Sequence, residues 1–132
     1  METTRLAEIP LFETLEQEHL RALADVASEV EAVPGQPLAT QGDFGHALYA
    51  IESGTAEVAR DGEVLRTLGP GDVFGEVAIL KAGRRTATVT ATSPMRLIAV
   101  FKRDVWALER RSPEASARLR QLVADRLAGQ TS

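Results

Sequence analysis

The chain has 132 residues, with 15 Lys/Arg against 19 Asp/Glu, a net charge of −4, 44% hydrophobic and 26% charged residues, and no cysteine. This suits one globular domain over 1–132 that buries about two-thirds of its unfolded surface. It excludes disulfides and thiolate metal sites, and no stretch reaches the roughly 18 apolar residues of a membrane span. The N-terminus METTRLAEIPLF carries neither a basic n-region nor a long apolar run, so no signal peptide is expected and a cytoplasmic location is the default.

Ile9-Pro10-Leu11-Phe12 is an apolar lead-in, and Thr14 is placed to cap the next helix. Glu16 to Ala27 repeats Leu20, Leu23, Ala24 and Ala27 at helical spacing. His19 lies on this helix with no second ligand at helical spacing and reads as a surface histidine. From Ser28 the pattern changes to short strands broken by Gly, Pro and Asp. The first carries Val30 and Val33 and stops at Pro34-Gly35; Leu38-Ala39-Thr40 and Leu48 to Ile51 follow, separated by the turn at residues 42–45. Thr55–Ala59 and Glu63–Leu68 flank Asp61-Gly62, a two-residue hairpin signal. Thr86–Ala91 and Met95–Phe101 complete about eight strands. Turn signals every eight to twelve residues predict a β-sandwich, with a jelly roll as the expected form.

The strand-like Asp72-Val73-Phe74 leads into the stretch Phe74 to Val89, FGEVAILKAGRRTATV. Gly75 permits close backbone approach. Glu76 to Leu80 can form one or two helical turns, whose first N–H groups attract anions. Nine residues beyond Glu76, Arg85 offers a planar fork of donors suited to phosphate. Thr86-Ala87-Thr88-Val89 then runs as a small, β-branched strand. A carboxylate only accepts hydrogen bonds, so Glu76 needs a donor such as a sugar hydroxyl. An anion site beside a hydroxyl acceptor describes a ribose phosphate. Either half alone would read as an ordinary strand-turn-helix or a solvated Arg84-Arg85 turn; in this order and spacing the two halves favour a ligand.

This stretch resembles the phosphate-binding cassette of cyclic-nucleotide-binding domains, the family of catabolite-activator proteins and protein-kinase regulatory subunits. VPGQPLATQGDFGHALYAIESG and LGPGDVFGEVAIL resemble it again, so the likeness covers roughly residues 9 to 128. It implies a mainly β fold, a β-roll over about 28–101, with an N-terminal helix and C-terminal B and C helices over about 102–128. It implies that Gly75 and Glu76 take the ribose 2′-hydroxyl. Arg85 and the N–H groups of Ala78 and Thr86 take the cyclic phosphate. Phe74, Val77, Arg84 and Ala87 complete the cassette. Cyclic AMP is the favoured ligand; Thr86, able to bond a guanine 2-amino group, keeps cyclic GMP open. No cofactor or metal is expected.

Lys102–Arg110 reads as a helix carrying Val105, Trp106 and Leu108. Ser112-Pro113-Glu114 then starts another with a capping serine, proline at the first position and an acid near the positive end. Ala115, Leu119, Leu122, Val123 and Leu127 form its apolar stripe, with Gly129 as the expected stop. By the resemblance these helices hinge over the ligand, Leu119, Leu122 and Val123 meeting the base, and the stripe is also a candidate seam for pairing two chains. Residues 102–128 hold seven Lys/Arg against four acids, which reads first as a solvated arginine-rich face, with contact to nucleic acid, a membrane or an acidic partner domain as the alternative. No winged helix-turn-helix follows, so the expectation is a regulatory sensor, freestanding or serving an effector elsewhere, with no DNA-binding domain in this chain. With only His19 and His46 as histidines, no cysteine and no serine elbow, an enzyme is not expected. The rival reading is a degenerate module of this family that binds proteins without nucleotide.

Overall fold

The computed structural model describes residues 1–42, 46–75 and 84–130. A short helix α1 (Thr3–Ala7), a 3-10 turn (Pro10–Phe12) and helix α2 (Gln17–Val26) come first. The strands are β1 (Ser28–Ala32), β2 (Pro37–Ala39), β3 (Ala47–Ser53), β4 (Ala56–Arg60), β5 (Glu63–Leu68), β6 (Val73–Phe74), β7 (Thr88–Ala91) and β8 (Met95–Phe101). Helices α3 (Lys102–Arg111) and α4 (Pro113–Gln130) close the chain. No helix among the described residues is long and apolar enough to cross a membrane.

The strands form two antiparallel sheets, ordered β1-β8-β3-β6 and β2-β7-β4-β5. Strand 1 therefore lies beside 8, 2 beside 7, 3 beside 6 and 4 beside 5. This is one long antiparallel hairpin wound on itself, the expected jelly roll. Its tip is Asp61-Gly62, where φ is 53° and 80°; a tight type I′ turn needs both values positive, and an aspartate followed by glycine tolerates them.

The first sheet is the middle layer of three. Alternate residues of its strands point to opposite faces, so Leu48, Ala50, Ile98, Val100 and Val73 face the helices. Ile51, Leu97, Met95 and Phe74 face the second sheet. This double burial explains why β3 and β8 read as nearly unbroken apolar runs. The helical layer is tied on by charge as well. Arg5 of α1 donates from Nε to the Glu52 carboxylate on β3 at 2.9 Å and also pairs with Glu29.

The helices differ from expectation in three places. Helix α2 begins at Gln17 with no side-chain cap, because Thr14 falls in the preceding turn where Leu15 is drawn into the core. His19 is half-buried, not on the surface, and its Nδ1 has no hydrogen-bond partner among the described residues. Helix α4 runs through Gly129 to Gln130. Ser112 does cap α4, its Oγ accepting from the Ala115 N–H at 3.2 Å. Asp104 likewise accepts from the Phe101 N–H at 2.8 Å at the start of α3. The first strand ends at Ala32, leaving Val33 outside it and exposed.

The stripe on α4 is committed inside the chain. Leu119 and Val123 are 1% and 0% exposed and share one core with Phe12, Leu20 and Leu23 of the N-terminal segment, against which Leu122 is half-buried. Truncating such a leucine forfeits transfer energy and leaves a cavity. Leu119→Ala should therefore lower unfolding free energy by about 2–5 kcal/mol in urea titrations without ligand, while Leu122→Ala costs clearly less. Equal losses below about 1 kcal/mol for both would contradict this packing.

Candidate functional site

Strand β6 divides its two residues between the layers. Val73 is buried against the helices and Phe74 against the second sheet. Phe74 pairs with Tyr49 of β3 across the ladder, and the two rings stack with centroids 5.1 Å apart. Gly75 follows with φ 86°. A Cβ there would sit 2.3 Å from the Ala47 carbonyl oxygen and 2.6 Å from Arg85 Nη1. Only glycine fits, for two reasons at once: the dihedral and the closeness of these atoms.

Arg85 is held by the same carbonyl. Its Nη2 donates to Ala47 O at 2.9 Å in a partly buried setting. Tyr49, two residues along β3, feels both effects of this neighbourhood. Burial raises its phenol above the ordinary range, and the Arg85 charge pulls it partway back. The Arg85 carbonyl in turn accepts from the Gly42 N–H at 2.9 Å, and Arg84 Nη1 donates to the Gly42 carbonyl at 2.7 Å. Arg84 thus fastens the chain beside Gly42.

Phe74, Gly75, Arg85, Thr86 and Ala87 line one cavity of about 110 Å³. Its floor is the inner face of the second sheet, formed by Ala39, Val58 and Val89. Thr86 is exposed, and its carbonyl accepts from Arg60 Nε at 3.0 Å; Ala87 is half-buried. Five of the expected site residues are therefore brought together. Arg84 is not among the lining residues, and Glu76, Val77 and Ala78 lie outside the described residues. Leu119, Leu122 and Val123 belong to the helical core rather than to this cavity. The side chain at the last stripe position, Leu127, also lies outside the description.

Three contributors escaped sequence reading. Ala47 and Tyr49 act through β3, whose place beside β6 is visible only once the strands are paired. Arg66 of β5 lines the cavity too. Its strand parity could have signalled this, since it shares the face of buried Leu68.

A cation and a constrained glycine above a small apolar floor suit an anionic ligand with a flat apolar part. Residues 29–112 match the model of the family described as "Cyclic nucleotide-binding domain". The chain belongs to this family. This cyclic nucleotide-binding domain is 36% identical over 123 residues to the cyclic AMP receptor protein of Thermus thermophilus, covering 89% of this chain and 57% of the relative. It is 40% identical over 99 residues to a cAMP-dependent protein kinase regulatory subunit of Yarrowia lipolytica, covering 74% of this chain and 26% of the relative. The chain thus spans about half the length of the first and a quarter of the second. Among solved structures, the N-terminal domain of a transcriptional regulator from Streptomyces coelicolor A3(2) superposes with a TM-score of 0.80 and 32% identity, covering 98% of this chain and 95% of that one.

The glycine is the feature that admits the arginine. Gly75→Ala should cost about 1–3 kcal/mol from its dihedral alone, and more because the Ala47 carbonyl cannot yield. Gly62→Ala makes a matched control: φ is also positive there, but nothing lies within 4 Å of the added Cβ. Urea titrations should show the larger loss at Gly75. Equal losses would contradict the close approach described.

Proposed function

We propose that this domain binds a purine 3′,5′-cyclic monophosphate, cyclic AMP or cyclic GMP, and acts as a regulatory sensor rather than an enzyme. The observation that carries this reading is the Arg85 guanidinium, fixed on the Ala47 carbonyl beside Gly75 at one end of an apolar cavity. In the proposed pose Arg85 pairs with the cyclic phosphate, helped by the backbone N–H groups of Ala78 and Thr86. Glu76 and the Gly75 N–H take the ribose 2′-hydroxyl, and the base lies over Val58 and Val89. The Thermus and Yarrowia relatives are named for cyclic AMP, which supports a cyclic nucleotide as ligand.

The output proposed is a shift of the C-terminal helices. Arg126 of α4 donates from Nη2 to the Val73 carbonyl at 3.1 Å, one residue before Phe74 and two before Gly75. A ligand moves an equilibrium only through unequal affinity for its two states. Tightening of the cassette around a phosphate would act on the strand that α4 holds, and so provides that inequality. An effector domain or partner protein would receive the movement.

Truncating one member of a buried charge pair costs about 2–5 kcal/mol, or roughly thirty- to several-thousand-fold in Kd. Calorimetric titration with cyclic AMP and cyclic GMP should show micromolar or tighter binding to the native chain. Arg85→Ala should lose it by that factor while the fold persists. Arg84→Ala should change Kd by less than about fivefold, since Arg84 is spent on Gly42. Equal weakening by both substitutions, or no binding by the native chain, would overturn the proposal.

A further inference from the structure

The peptide joining Arg85 to Thr86 is held from outside the cavity. Its carbonyl oxygen accepts from the Gly42 N–H at 2.9 Å. The next carbonyl, that of Thr86, accepts from Arg60 Nε at 3.0 Å. No peptide bond among the described residues is cis, and a trans peptide points its N–H opposite to its C=O. The Thr86 N–H shares a peptide with the Arg85 carbonyl and is therefore turned away from Gly42. Gly42 lies outside the lining of the cavity and Thr86 within it, which leaves this N–H on the cavity side. Gly42 is placed in turn by the residue before it. Gln41 commits both ends of its side-chain amide to Asp61 at the tip of the β4–β5 hairpin. Its Nε2 donates to the Asp61 carboxylate at 2.8 Å, and its Oε1 accepts from the Asp61 N–H at 2.9 Å. The Gln41 N–H donates to Thr88 Oγ1 at 3.0 Å. Arg60 and Asp61 are adjacent, so one hairpin tip holds both Gln41 and the Thr86 carbonyl. Arg84 bonds the Gly42 carbonyl, which belongs to the following peptide and does not orient the Gly42 N–H.

This step rests on the cyclic nucleotide reading of the cavity, in which the Thr86 N–H takes the cyclic phosphate. We propose that Gln41 is a positioning residue for that ligand: its clasp on Asp61 holds Gly42 against the Arg85 carbonyl and so fixes the Thr86 N–H as a donor to the phosphate. A hydrogen bond accepted by a carbonyl also polarises the N–H of the same peptide and strengthens its donation. A donor held ready costs less to order on binding than one recruited from a free loop. Gln41 and Asp61 are both exposed, so their pairing contributes orientation to the site rather than packing to the core.

The test compares the native chain with Gln41→Glu, alone and combined with Asp61→Asn, and with Arg85→Ala. Gln41→Glu sets a second carboxylate against that of Asp61 with no donor between them, since a carboxylate only accepts. Adding Asp61→Asn supplies a donor again, and asparagine tolerates the positive φ of this position. In calorimetric titrations with cyclic AMP and with cyclic GMP, Gln41→Glu should bind more weakly than the native chain by about five- to thirtyfold. The double variant should return to within about threefold of native. In amide NMR spectra the Thr86 N–H should move downfield on saturation with either nucleotide in the native chain and the double variant, and clearly less in Gln41→Glu. Thermal transitions should stay within a few degrees of native, because both side chains are exposed. Three results overturn the proposal while leaving the cavity reading intact. They are native affinity in Gln41→Glu, a loss that Asp61→Asn does not recover, and an equal Thr86 shift in all three chains. In each case Arg85→Ala still weakens binding. Absence of binding by the native chain would overturn both readings together.

Discussion

The hydrogen bond from Arg85 to the Ala47 carbonyl, made past a glycine with no Cβ to obstruct it, is the contact on which the site depends. A guanidinium cannot shed its charge, so in a partly buried position it needs acceptors. The structure provides one from the backbone of β3, the strand beside β6 in the middle sheet. Because the acceptor is a main-chain atom within a sheet, it cannot rotate away. The cation is thereby held in place, and in the proposed binding mode this would lower the ordering cost of taking up the phosphate. Tyr49 reinforces the placement from the same strand, stacking on Phe74 and sharing a small cavity wall with Arg85.

The same strand pair links the site to the rest of the molecule. Val73 and Phe74 are neighbours in sequence but belong to different cores. Movement of β6 is therefore felt on both faces of the middle sheet. The Arg126 contact reaches Val73 from the helical side, and Arg85 and Gly75 lie on the other. Since Leu119 and Val123 are buried beneath α4, displacing that helix carries a packing cost of several kcal/mol. A switch built on it must move the helix together with what it packs on, or repack the stripe elsewhere. Trp106, 61% exposed on α3, lies outside that core.

Much of this was legible in the sequence, for reasons that differ by element. The hairpin at Asp61-Gly62 follows from residues that accept positive φ, and β8 from an apolar run between turn residues. The start of α4 follows from Ser112-Pro113-Glu114. These are local signals that mark the elements; the jelly-roll form was expected from the number of strands, their turn spacing and the family resemblance, not from any reading of which strands pair. Gly75 and Arg85 were legible because their spacing carries the family's cassette. What was not legible depends on pairing across the chain. Ala47 holds Arg85 only because β3 lies beside β6, and Arg66 reaches the cavity only because β5 folds back on β4. The stripe on α4 shows a different limit. Its helical spacing announces an apolar face but not what that face packs on, and Leu119 and Val123 share a core with the N-terminal segment. Thr14 was misread as a cap because a turn separates it from the start of α2.

A crystal structure grown with a saturating cyclic nucleotide tests the central claim most directly. The account predicts the cyclic phosphate within hydrogen-bond distance of the Arg85 guanidinium. It places the ribose 2′-hydroxyl at Glu76, the base over Val58 and Val89, and the Ala47–Arg85 hydrogen bond still in place. Phosphate density away from Arg85, or an Arg85 side chain swung out of the cavity with ligand bound elsewhere, would contradict it.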